Sequence, residues 1–79
     1  MMKPVVTEKA VMLIESQNSL TFKTDKKDGK EDIKKQVEEL FDVKVQNVRT
    51  LIRGNKKYAY VKLKKDFLAI DVATKLGII

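Results

Sequence analysis

The chain has 79 residues, with 17 Lys or Arg against 11 Asp or Glu for a formal charge of +6, and it contains no histidine, cysteine or tryptophan. A chain of this length makes a single domain, residues 1–79, which buries about 60 to 65% of the surface its unfolded form exposes. Disulfides, thiolate and imidazole metal centres, thiol nucleophiles and the commonest general base near neutral pH are excluded. The expectation is a protein that is no enzyme and uses no cofactor.

In chain order, Thr7 stands before Glu8-Lys9-Ala10-Val11-Met12-Leu13-Ile14, where a hydroxyl residue followed by an acid and good helix formers predicts an N-cap and a short helix. Asn18 to Thr24 alternates, which predicts a strand with Leu20 and Phe22 inward and Ser19, Thr21 and Lys23 outward. Asp25 to Gly29 reads as a polar turn. From Lys30 to Phe41, Ile33, Val37, Leu40 and Phe41 form one apolar stripe, with Glu31 and Asp32 placed favourably in the first helical turn. Val43 to Arg53 is rich in β-branched residues, but its apolar phase shifts between Val45 and Val48. That shift predicts a bulge or a strand covered on both faces.

Gly54-Asn55 predicts a hairpin turn. Beyond it, Ala59, Val61 and Leu63 face one way, and Tyr58, Tyr60, Lys62 and Lys64 the other. Asp66 is placed to cap a last helix from Phe67 to about Leu76, stopped by Gly77. Helix, strand, helix, strand, strand, helix is the order of an α+β protein. It predicts a split β-α-β plait with a mainly antiparallel sheet of three to four strands and three helices, the last strand central and antiparallel to both neighbours.

The positive charge has a centre. Arg53, Lys56, Lys57, Lys62, Lys64 and Lys65 lie close together with two tyrosines between them. Binding RNA or DNA needs cations that displace condensed counterions and flat side chains on which unpaired bases stack, and this segment offers both. An alternation of tyrosine and lysine also suits an ordinary solvated sheet face; the concentrated positive charge and the lack of catalytic groups favour nucleic acid. Asp25 and Asp28 before Gly29 lack the other oxygen ligands of a calcium loop. Ser16 and Ser19 have no histidine to activate them, Glu8, Glu38 and Glu39 read as helix-surface charges, and Gly54 alone makes no phosphate-cradling loop. No apolar run approaches the roughly 18 residues of a membrane span, and Met1 to Val6 lacks the apolar stretch of a signal peptide, so a cytoplasmic protein without membrane contact is expected.

Four blocks carry a resemblance: Lys3-Pro4-Val5-Val6-Thr7-Glu8-Lys9-Ala10, Asn18-Ser19-Leu20-Thr21-Phe22, Ile33 to Phe41, and Lys57-Tyr58-Ala59-Tyr60-Val61-Lys62-Leu63. In order and spacing they resemble the ribosomal large-subunit protein L23 family in its archaeal form. The resemblance implies a structural binder of large-subunit ribosomal RNA, monomeric when isolated. It implies a seat at the rim of the polypeptide exit tunnel among neighbouring ribosomal proteins, and a landing point for signal recognition particle or other exit-site factors. Glu8 matches the family's exposed acidic docking residue; stabilising its own helix is the local alternative.

Many bacterial members carry a long hairpin extension that Gly54-Asn55 replaces here. Tyr58 stands where a second basic residue is common, and Arg49 where asparagine is frequent. The expected RNA-binding residues are Lys3, Thr7, Lys9, Lys23, Arg53, Asn55, Lys56, Lys57, Tyr58, Tyr60, Lys62 and Lys64. In this reading the cations neutralise phosphates, Asn55 and Thr7 hydrogen-bond backbone or sugar, and the tyrosines stack on base or ribose. Two other readings stand beside it: a small-molecule-binding or regulatory ferredoxin-like domain, which predicts an apolar cleft, and a non-specific nucleic-acid-coating protein, which predicts comparable affinity for duplex DNA and RNA.

Overall fold

The computed structural model describes residues 3–25 and 27–77. Their elements are β1 (Lys3–Pro4), α1 (Glu8–Gln17), β2 (Ser19–Thr24), α2 (Lys30–Phe41), β3 (Val45–Arg53), β4 (Lys56–Leu63) and α3 (Ala69–Leu76). The strands form one sheet in the order β1-β2-β4-β3, and every neighbouring pair is antiparallel. β4 therefore lies between β2 and β3, which run parallel to each other on either side of it. This is the expected α+β plait with three helices. Sequence reading missed the two-residue β1, where Pro4 pairs with Phe22 at the sheet edge, a position that tolerates a residue without an N–H.

The core lies on one face of the sheet. Leu20 and Phe22 of β2, Val45 and Val48 of β3, and Ala59, Val61 and Leu63 of β4 pack against Ile33 and Val37 of α2 and Ala69, Val72 and Ala73 of α3. Phe41 stacks on Phe22 with ring centroids 6.1 Å apart. Leu40, placed by its spacing on the same stripe, is instead 67% exposed. Ile33, Val37 and Phe41 recur every four residues and set the buried stripe, which leaves Leu40 at its outer edge. The apolar phase shift in β3 is a bulge between Val45 and Asn47, which returns both Val45 and Val48 to the core. Glu38 is more than a surface charge, because its Oε2 accepts the Val45 N–H at 3.0 Å and so fixes the start of that strand.

Thr7 caps α1 as its position predicts, its Oγ1 accepting the Ala10 N–H at 3.1 Å. At the other end Asn18 sits in the left-handed region (φ 53°) and its backbone N–H returns to the Leu13 carbonyl. The side chain of Asn18 joins three elements. Its Nδ2 donates to the carbonyls of Phe67 (2.8 Å) and Leu63 (3.4 Å), while its Oδ1 accepts the Ala69 N–H at 2.6 Å. The cap of α3 is thus supplied by Asn18, across the fold, and not by Asp66. Lys64 to Phe67 closes a separate turn through the Phe67 N–H and the Lys64 carbonyl, so the helix begins two residues later than Phe67.

Gly54 is the only residue of the β3–β4 turn at positive φ (59°). Arg53 pairs with Lys56 across it, leaving Gly54 and Asn55 as a two-residue connection. A positive φ at the first central position alone is the pattern of a type II′ turn, which suits the twist of a hairpin. In the polar turn before α2 the Asp28 N–H donates to the Asp25 carbonyl at 3.1 Å; Lys26, within that turn, lies outside the described residues.

Candidate nucleic-acid interface

Strand alternation and register decide which candidate residues meet. On the sheet face opposite the core, cross-strand rows run Ser19–Lys62–Asn47, Thr21–Tyr60–Arg49 and Lys23–Tyr58–Leu51, and Arg53 opposite Lys56 continues the series. Lys3 pairs with Lys23 and extends the third row outward. Side chains directly opposite in such rows stand with Cβ atoms about 5 Å apart, so cations and tyrosines are interleaved at short range across the sheet.

The predicted residues are therefore largely brought together. Lys3, Lys23, Arg53, Lys56, Tyr58, Tyr60 and Lys62 share this face, and Lys64 follows directly after it, exposed. Asn55 is at the exposed tip of the turn. Lys57 departs from the group. Its register partners are Thr24 and Ile52, on the core side, and its Nζ donates to the Asp28 carbonyl. Lys56 and Lys57, adjacent in sequence, point to opposite faces of the sheet. Arg53 and Lys56, on either side of the predicted turn, are paired strand residues.

Helix α1 adds a wall that periodicity did not reveal. It packs along β2, and Ile14 joins the core while Lys9, Leu13 and Gln17, spaced one turn apart, overhang the open face. This overhang explains why Ser19 and Thr21, expected outward, are buried. Between helix and sheet lies a groove of about 490 Å³, edged by Lys9, Leu13 and Gln17 and floored by Ser19, Tyr60, Lys62, Asn47 and Arg49. A smaller groove of about 230 Å³ continues past Val5 and Thr7 to Tyr58 and Arg53. Sequence reading missed Arg49, Asn47 and Gln17 as site residues. The shifted phase of β3 hid the first two, and Gln17 has a role only once α1 is docked.

Among the described residues, Lys9, Lys23, Arg49, Arg53 and Lys62 have no carboxylate partner. Their charge stays available to a polyanion. Glu8 lies in the first turn of α1, exposed and outside the groove lining. No cluster of three or more carboxylates that could hold a metal occurs among the described residues, and none of their helices is long and apolar enough to cross a membrane.

A basic sheet face with interleaved tyrosines, on an α+β plait, has the chemistry of a nucleic-acid-binding surface. The sequence model of ribosomal protein L23 matches residues 1–67, and the chain belongs to that family. It is accordingly a structural protein of the large ribosomal subunit that binds ribosomal RNA and acts in translation.

Proposed function

We propose that the protein sits at the rim of the polypeptide exit tunnel, bound to large-subunit ribosomal RNA through its open sheet face, and offers α1 as a docking surface for factors such as signal recognition particle. One observation carries this reading: Lys9, Lys23, Arg49, Arg53 and Lys62 stand close together on or beside the open sheet face around two tyrosines, while Glu8 is exposed at the start of α1, outside the groove. A chain so divided can hold RNA on one side and meet a partner with another. The RNA-facing set is Lys3, Thr7, Lys9, Lys23, Arg53, Asn55, Lys56, Tyr58, Tyr60, Lys62 and Lys64, joined by Arg49, with Lys57 at its margin. Thr7 keeps a hydroxyl proton to donate, since its oxygen serves as acceptor in the helix cap. The two-residue turn of the β3–β4 hairpin supports the archaeal form and argues for binding at the rim without reach into the tunnel.

The rival of a metabolite-binding or regulatory domain predicts an apolar cleft, whereas Lys9, Arg49, Lys62 and three side-chain amides stand among the residues that line the groove here. The rival of a non-specific coat is met by competition between duplex DNA and ribosomal RNA, in which the RNA should win clearly.

The test is incorporation into large subunits. Wild-type protein and the variant Glu8→Ala should both remain with the subunits through a high-salt wash. The variant subunits should recruit signal recognition particle roughly three- to ten-fold less well, the worth of one charged contact. Unchanged recruitment would leave Glu8 as a helix-end charge, and loss of the wild-type chain in the wash would remove the ribosomal seat itself.

A further inference from the structure

We propose that the groove between α1 and the sheet receives one unpaired nucleotide of the RNA, its base laid on Tyr60. This rests on the RNA-binding reading above and goes beyond it by giving the groove a specific occupant. A face that only neutralised the backbone of a duplex would need cations and little else. The groove instead carries Gln17 on the α1 side and Gln46 and Asn47 on the β3 side, with Tyr60 in the row between Thr21 and Arg49.

None of those three amide side chains has a hydrogen-bond partner among the described residues. Each amide offers both donors and an acceptor, the complement of a base edge. Lys9, Arg49 and Lys62 stand around the same space as phosphate partners.

Size points the same way. About 490 Å³ falls within the roughly 300–1,000 Å³ of sites that hold small molecules, room for one nucleotide and far too little for a double helix. The α1 wall keeps a duplex from lying flat over Tyr60, whereas an extruded or single-stranded base can enter edge-on between helix and sheet. Unstacking that base carries a cost, which a flat ring and paired base edges offset.

The chain has two tyrosines and no tryptophan, so in a Tyr58→Phe variant Tyr60 is the sole tyrosine emitter. This protein is titrated with random-sequence single-stranded RNA of twelve nucleotides and, separately, with an RNA duplex of equal charge. Single-stranded RNA should quench the Tyr60 emission saturably while the duplex binds without comparable quenching. In otherwise wild-type protein, Tyr60→Leu should weaken single-strand binding about ten-fold or more and weaken duplex binding by a much smaller factor. Arg49→Gln, at an exposed position that the core does not depend on, should weaken single-strand binding as well.

Equal binding of both RNAs without quenching would overturn the nucleotide site and leave the RNA-binding face standing. Failure of both RNAs to bind would overturn the two together.

Discussion

Replacing Asn18 by alanine is expected to lower the stability of the isolated protein by about 2 to 3 kcal/mol, the sum of a left-handed backbone that alanine adopts at a cost of roughly 1 to 2 kcal/mol and a lost helix cap worth about 1. Thermal unfolding should then fall by more than about 10 °C, since 1 kcal/mol moves the midpoint of a domain this size by roughly 4 to 8 °C. The reason is connectivity. The backbone of this one residue ends α1 and its carbonyl accepts from the Leu63 N–H, while its side chain holds the carbonyls of Leu63 and Phe67 and caps the first N–H of α3. Asn18→Gly should recover only the backbone part. Asn18→Asp, which keeps an acceptor for the Ala69 N–H and loses the donors, should fall between alanine and wild type. A loss in Asn18→Ala no larger than that of an exposed substitution would show that α3 docks without the cap.

The second large effect concerns where charge lies. The double variant Arg49→Glu/Lys62→Glu is compared with Lys34→Glu/Lys35→Glu on the exposed surface of α2; both lower the formal charge from +6 to +2. At about 0.1 M salt the first should lose roughly 100-fold in affinity for large-subunit ribosomal RNA. Its log–log salt slope should shrink by about 1.4 to 1.8, because each neutralised phosphate contributes about 0.7 to 0.9. The second should lose far less and keep its slope, with the same helical circular dichroism in both. Equal losses would mean that the RNA senses net charge alone, and the open face would have no special standing.

Much of this architecture can be read in the residues themselves. The alternation of β4, the stripe of Ile33 and Val37 and the phase shift of β3 each reflect a local period of 2 or 3.6 set against one buried face. From them follow the central place of β4 and the tyrosine–lysine face. What escaped reading depends on contacts between distant segments. Asn18 caps a helix some fifty residues away, and no spacing rule links it to Ala69; Asp66, the local candidate, is diverted into a turn. The wall made by α1 buries Ser19 and Thr21 against their polar composition. The division of Lys56 from Lys57 is a matter of hairpin register, invisible while both are counted as part of one basic segment. Arg49 shows the same dependence, since only the bulge after Val45 sets it beside Tyr60.

We propose that RNA meets the open face of the sheet and not the helical side, and lysine reactivity mapped by mass spectrometry tests this most directly. The protein bound to large-subunit ribosomal RNA is acetylated and compared with the free chain. Lys9, Lys23 and Lys62 should be protected several-fold, while Lys34 and Lys35 on α2 should react as they do without RNA. Protection of Lys34 and Lys35 with free reaction at Lys9, Lys23 and Lys62 would contradict the account.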